Sequence, residues 1–363
     1  RQYLYPTYGD AIYTQGFKVY TTIDSKLQQA AYMALRKGLL NYDASNGYQG
    51  AEPRVDLAAS SADATLDQTA MGQFDGITDY GDLLAAIVLT VNNDAIDAIL
   101  RNGQHVQFSG KQLDWVRKYL NAGGDKKILP GSVIRVYQNN NQWQISQIPQ
   151  VQGALVSINP TNGSIQALMG GFDYTNNNFN HVMQASRQPG SSFKPFIYSS
   201  ALDKGYTTET VIDDSPACYS GGNDGGQWCP RNDDGKFLGP ISLRQGLTLS
   251  RNMITVKILN DITPQYAINY VSKFGFSESQ FQPYLTMALG ANEVTPMQMA
   301  QAYAVFANGG YLVQPYFIEK ITDANGRILA QTAPSNITQQ QPVIDPKNAF
   351  IMNSILKDVA KYG

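Results

Sequence analysis

The segment Arg187-Gln188-Pro189-Gly190-Ser191-Ser192-Phe193-Lys194-Pro195 holds a hydroxyl and an amine at a spacing that supports nucleophilic catalysis. Ser191 and Lys194 are three residues apart. In a helix that starts at Ser191, after the flexible Gly190, the two side chains share a face and lie within reach of each other. A serine hydroxyl is a poor nucleophile until a neighbouring base takes its proton. Lysine is that base only when neutral, and burial together with the positive end of a helix lowers its pKa. The same helix start offers the Ser191 N–H to a developing oxyanion. Pro195 falls in the first turn or just beyond, where its missing N–H costs least. Ser192 is an internal control, because the residue three on is Pro195 and no base is available to it. Spacing alone does not exclude a surface serine beside a solvated lysine.

A second element is Ser250-Arg251-Asn252, between a capped helix and the apolar run Met253–Leu259. Ser250 could pass a proton between Lys194 and a leaving amine. Asn252 could hold a substrate amide with both a donor and an acceptor. The competing reading is helix capping by Ser250 or Asn252.

Other chemistries have little support. The only histidines, His105 and His181, stand far from the cysteine pair, no third or fourth ligand is evident, and both read as ordinary surface or loop residues rather than zinc ligands. Cys218 and Cys229 lie in a Gly- and Asn-rich loop and are equally compatible with a disulfide and with two free thiols. With 27 basic and 29 acidic residues the net charge is −2, which gives no footprint for nucleic acid or an anionic membrane. The apolar run Leu83–Leu89, continuing to Val91, is far short of the ~20 residues of a membrane helix. Arg1 opens the sequence with no charged-then-apolar leader, so the sequence reads as part of a longer chain.

The elements that must position these residues follow from periodicity. At 363 residues, two or three domains are expected. Phe17, Val19 and Thr21 alternate as in a half-buried strand. Asp24 and Ser25 open a helix, Ser25 with Gln28 has capping-box spacing, Leu27, Ala31 and Ala34 form its apolar face, and it runs out near Gly38 to Asp43. Residues 47–73 are polar and read as a linker or long loop. Strands are expected at Ala85–Val91, Ala95–Leu100, His105–Phe108, Ser132–Tyr137 and Gln142–Ile148, with a short helix at Trp115–Leu120. Five short strands and a helix fit a small OB-like barrel, read as a docking or spacer module.

From Gln152 a hairpin follows: Ala154, Val156 and Ile158 alternate, Pro160 to Gly163 turn, and Ile165, Ala167 and Met169 alternate again. Helices begin at Ser242, Thr295-Pro296 and Asp345-Pro346, and a second hairpin joins Phe317–Thr322 to Arg327–Ala330. Hairpins and helices without regular alternation predict an α+β fold. The expected division is 1–49 as a linker strand and helix, 50–149 as the OB-like domain with a flexible start, and 150–363 as the domain bearing Ser191.

Ser-x-x-Lys and Ser-x-Asn occur together, with Lys-Thr-Gly, in penicillin-binding proteins and serine β-lactamases. Residues 187–195, the hairpin 152–171, Leu249–Asn252, Ala288-Leu289-Gly290 and Ala307–Gly310 resemble the transpeptidase domain of bifunctional, high-molecular-weight class A penicillin-binding proteins. Gly16–Asp24 with Leu27-Gln28 is similar to the segment that joins their glycosyltransferase to that domain, and the OB-like insert is similar to that of Gram-negative members. The resemblance is weakest at 51–82.

It implies an antiparallel sheet with helices around it, and a D-Ala-D-Ala transpeptidase that cross-links peptidoglycan stem peptides. Ser191 would be the nucleophile and the site of β-lactam acylation, Lys194 the base, Ser250 a proton relay and Asn252 a substrate-binding residue. No metal or organic cofactor is implied. It further implies a parent protein anchored at the periplasmic face of the bacterial inner membrane, a glycosyltransferase domain in that parent, and an outer-membrane lipoprotein activator as partner. No Lys-Thr-Gly occurs in these 363 residues, and the resemblance places that motif on a strand beyond Gly363.

Two alternatives differ in class. A D,D-carboxypeptidase or β-lactamase would use the same site with water as acceptor. A non-catalytic module would bind β-lactam or a partner without acylation.

Overall fold

The computed structural model describes residues 3–58, 64–121, 124, 126–220 and 226–363. The chain folds into two compact units. One comprises Arg1–Ala31, Leu155–Met169 and Asn180–Gly363, and the other Tyr32–Ala154 and Gly170–Phe179.

In the first unit, β1 (Lys18–Thr21) pairs antiparallel with Ile318–Thr322, which pairs in turn with Ile328–Gln331. All four residues of β1 are exposed, so the half-buried alternation expected there is absent. The middle strand takes the burial instead, at Ile321 and Thr322. The helix that follows runs Ser25–Ser45, past the expected end. Asp24, not a Ser25–Gln28 box, caps it: Asp24 Oδ1 accepts the N–H groups of Lys26 and Leu27, each at 2.9 Å. A carboxylate is the stronger acceptor at a helix N-terminus. Gln28 is drawn away to the hairpin, where it bonds both the N–H and the carbonyl of Leu168. Ala31 is buried in the first unit; from Tyr32 the helix belongs to the second, where Arg36, Leu39 and Leu40 are buried, while Leu27 and Ala34 are exposed.

The second unit is built on five antiparallel strands. These are β2 (Leu84–Val91), β3 (Ala95–Leu100), β4 (His105–Ser109), β5 (Val133–Asn139) and β6 (Gln142–Ser146), in the order β4-β3-β2-β5-β6. Edge strands β4 and β6 approach each other, giving the expected OB-like, nearly closed sheet. Asn140 and Asn141 both have positive φ, which suits the two-residue turn between β5 and β6. The helix expected at Trp115–Leu120 spans Arg117–Asn121.

The reading of 47–73 as a plain linker is corrected. Leu66–Gly72 is helical, with a capping box between Thr65 and Gln68. Ala70 and Phe74 are buried against Ala85, Ile87 and Leu89. The run Ala85–Leu89 is apolar on both faces, so both need cover, and this helix supplies one side. Residues 59–63 of that stretch lie outside the described residues. His105 is a surface residue, as expected, at the start of β4, hydrogen-bonded to Asp67 at 3.0 Å and Asp97 at 3.2 Å. Both carboxylates raise its pKa, Asp67 first. His181 opens the short helix His181–Gln184.

The rest of the first unit is α+β, as expected. Strands β7 (Leu155–Ile158) and β8 (Ile165–Met169) form the hairpin. The helix Lys194–Asp203 lies in the core, buried at every residue from Lys194 to Ala201. Its neighbours are the helices Asn252–Ile262, Pro264–Val271 and Pro346–Tyr362. Phe193, Phe196, Phe274, Phe276, Phe281 and Phe306 cluster in that core. Thr295 caps Pro296–Ala307 with Gln298, and Asp345 caps the last helix. Cys218 and Cys229 form a disulfide beside the short pair Tyr219–Ser220 and Gln227–Trp228.

Candidate active site

Ser191 sits on a 3-10 turn, Gly190–Phe193, that leads directly into the helix Lys194–Asp203. The helix start expected at Ser191 is therefore a tighter turn, in which residues i and i+3 eclipse one another. Several contacts hold the turn. Gly190 has φ +58°, and its N–H donates to Gly290 O at 3.3 Å. Arg187 and Val294 exchange two backbone hydrogen bonds at 3.0 and 3.1 Å. Tyr303 OH donates to Ser192 O at 2.7 Å, and Ser192 Oγ to Pro189 O at 2.6 Å. Phe193 is buried against Phe196, Phe276 and Phe281. Ser191 itself is exposed.

Lys194 is fully buried. Its Nζ donates to Ser250 O at 2.6 Å, Ser250 Oγ at 3.0 Å and Asn252 Oδ1 at 2.6 Å. Burial pulls its pKa from 10.5 down to about 8; the charge of Asp233 opposes that fall and Arg251 adds to it. Among the described residues, Ser191 Oγ makes no hydrogen bond. The structure thus brings Lys194, Ser250 and Asn252 into contact and leaves the Ser191 hydroxyl free, one turn away.

Ser250 lies between the helices Leu243–Thr248 and Asn252–Ile262 with φ +52°. A left-handed residue closing a helix is usually glycine, and a side chain there costs on the order of 1–2 kcal/mol. Neither Ser250 nor Asn252 acts as a helix cap. Arg251 holds the N-cap position and makes no side-chain cap bond. Asn232 does the capping from a distance, its Oδ1 accepting the N–H of Asn252 at 2.8 Å and of Met253 at 3.2 Å.

Beneath the site lies a polar network that sequence reasoning missed. Arg251 bonds Asp214 through Nε at 2.9 Å and Asp234 through Nη1 at 3.0 Å, and also donates to Lys236 O. Asp214 is fully buried, and Asn232 Nδ2 donates to it at 3.0 Å. Asn252 Nδ2 donates to Arg231 O at 2.8 Å and Asp233 Oδ1 at 3.2 Å. The signal was present as the run Asn232-Asp233-Asp234-Gly235, which composition marks only as a loop.

An exposed serine, a buried low-pKa lysine and a Ser-x-Asn element now stand together in one unit. Residues 153–363 match the family described as penicillin binding protein transpeptidase domain. This chain belongs to that family. Residues 48–151 match the penicillin-binding protein OB-like domain. Penicillin-binding protein 1A of Neisseria meningitidis serogroup B is 44% identical, over 100% of this chain and 46% of that protein. The Pseudomonas aeruginosa protein of the same name is 40% identical, over 98% of this chain and 49% of its own length. The chain thus spans about half the length of the curated relatives it matches.

The crystal structure of penicillin-binding protein 1A from Haemophilus influenzae superposes with a TM-score of 0.88 at 33% identity, covering 99% of this chain and 56% of that one. The PonA1 protein from Mycobacterium tuberculosis, solved with penicillin V, covers 99% of this chain and 68% of its own at TM-score 0.58 and 21% identity, a likeness of fold alone.

Proposed function

We propose that this chain carries a D-Ala-D-Ala transpeptidase site in which Ser191 is the nucleophile and Lys194 the base. The observation that carries the reading is the setting of Lys194: buried and pinned by Ser250 and Asn252, with burial lowering its pKa to about 8. A neutral amine has two protons and one lone pair. Ser250 O and Asn252 Oδ1 are pure acceptors and take the two protons. The lone pair is then left for a hydroxyl proton, and Ser250 Oγ, which accepts from the ammonium, donates to the neutral amine.

In this mechanism Ser191 Oγ attacks the amide carbonyl between the two D-alanines of a stem peptide, and its proton passes to Lys194 Nζ. The Ser191 N–H, in the first turn where helical geometry provides no acceptor, stabilises the oxyanion. Ser250 Oγ relays the proton from Lys194 to the departing nitrogen. The C–N bond breaks and D-alanine leaves. An amine of a neighbouring stem then attacks the ester, returns its proton along the same path and restores Ser191. A β-lactam acylates the same oxygen by opening its ring, and its tethered nitrogen blocks the second half. Asn252 Oδ1 keeps one lone pair for a substrate N–H, while its amino group is committed to the protein.

By the same reading, the whole protein also has peptidoglycan glycosyltransferase activity, is anchored at the periplasmic face of the inner membrane, and responds to an outer-membrane lipoprotein activator. No helix among the described residues is long and apolar enough to cross a membrane. We retain 1–49, 50–149 and 150–363 as the functional division. The test is to follow a labelled penicillin adduct in the intact protein. A long-lived adduct supports the transpeptidase. Release within seconds supports the D,D-carboxypeptidase or β-lactamase alternative, and no adduct supports a binding module.

A further inference from the structure

The carboxamide of Asn252 has an acceptor end and a donor end, and its surroundings decide which one faces Lys194. Nδ2 donates to Arg231 O and Asp233 Oδ1. Both partners accept only. A half-turn about the Cβ–Cγ axis would set the carbonyl against two acceptors and the amino group against the donor Lys194 Nζ. That orientation is excluded, so Oδ1 is held on Nζ at 2.6 Å.

Asp233 is distinct from the acids beside it. Asp214 and Asp234 bind Arg251, and Asp214 is buried. Asp233 is exposed and, among the described residues, forms no ion pair. Among the described residues, its one side-chain bond is to the Asn252 amide. Its place in the loop is fixed on both sides, by Asn232 at the helix start and Asp234 on Arg251.

We propose that Asp233 is a positioning residue: it fixes the Asn252 carboxamide with its oxygen on Lys194 and sets the charge that this amine senses. The proposal rests on the reading of Ser191 and Lys194 as the acylating pair. The groups that face Nζ are Ser250 O, Ser250 Oγ and Asn252 Oδ1 in contact, with Asp233 and Arg251 as the charges acting on it. The negative charge of Asp233 favours the ammonium, against burial and Arg251, which favour the free amine. Removing that charge therefore makes Lys194 a base at lower pH.

The test is the rate of penicillin acylation against pH in the intact protein, for the parent, Asp233→Asn and Asp233→Ala. Asp233→Asn keeps an acceptor for Nδ2 but loses the charge. Its midpoint moves toward acid by roughly a few tenths of a pH unit, less at high salt, and its plateau stays within about twofold of the parent. Asp233→Ala loses both features, so its plateau falls by about tenfold as well, the size expected from a displaced catalytic group. A midpoint of Asp233→Asn that stays put or moves toward alkali overturns the proposal. So does a loss of rate that is uniform in pH and tracks a loss of thermal stability. Mapping the adduct in the parent is done first. An unlabelled Ser191 overturns the acyl-transfer reading and this proposal with it; a labelled Ser191 with a stationary midpoint overturns this proposal alone.

Discussion

Lys194 Nζ donates to Asn252 Oδ1 at 2.6 Å, and both side chains are buried. Burial penalises the charged form of an amine in that position. Its acceptors are dipoles rather than carboxylates, and burial outweighs the attraction of Asp233.

Acylation should therefore report the ionisation of Lys194. Its pKa is lowered to about 8, and the base is the neutral form. The rate is expected to rise ~tenfold per pH unit well below that value and to level off above it. Lys194→Arg, which stays protonated, should abolish the rise and most of the rate. The stability sign follows from the same shift. The unfolded lysine holds its proton to higher pH, so burying Lys194 costs stability below about pH 8. That cost fades as pH rises toward 10.5. Rapid-mixing acylation measurements across pH check the first claim and denaturant unfolding the second.

Gly290 should be intolerant of any side chain. A Cβ there would lie 2.2 Å from Gly190 O and 2.7 Å from its N, at φ +68°. Gly290→Ala must push the Ser191 turn aside, and acylation is expected to fall by about 10²-fold, since a displacement near 1 Å has that effect. Gly309→Ala is the control. Its φ is +86° with nothing within 4 Å, so it should cost on the order of 1–2 kcal/mol of stability and leave acylation intact.

Much of this arrangement is legible in the order of the amino acids. Ser191 and Lys194 are three residues apart, and local geometry alone sets them one turn from each other. The five strands of the OB-like sheet and the helix starts at Ser242, Thr295 and Asp345 carry their signals within a few residues. What escaped was set by distant partners. Asp24 outcompetes Ser25 because Gln28 is needed by Leu168. The helix Leu66–Gly72 exists because the sheet needs cover at Ala70 and Phe74. Asn232 caps a helix twenty positions away, and Asp214 meets Arg251 across thirty-seven. Periodicity holds no trace of such pairs.

The Arg251–Asp214 pair should be costly to break and cheap to remove whole. Arg251 is 6% exposed and Asp214 0%. Arg251→Met leaves a buried carboxylate without its partner and is expected to cost ~3–5 kcal/mol. Adding Asp214→Asn should recover a large part of that loss. A double-mutant cycle in denaturant measures the recovery, and strictly additive losses would contradict the account.

His105 should act as a pH-dependent tie within the OB-like unit. Hydrogen bonds to Asp67 and Asp97 raise its pKa. Its stabilising contribution is complete below the unfolded value and disappears as pH rises through the higher folded one. His105→Gln should lower the melting temperature at about pH 5.5 and have little effect at about pH 9, either side of an ordinary histidine. Equal losses at both pH values would contradict the account.

The central claim is that one hydroxyl does the chemistry. Intact protein treated with penicillin, digested and mapped by mass spectrometry should carry a single penicilloyl group on Ser191. The adduct should vanish in Ser191→Ala and persist in Ser192→Ala. An adduct on any other residue, or undiminished labelling of Ser191→Ala, would contradict it.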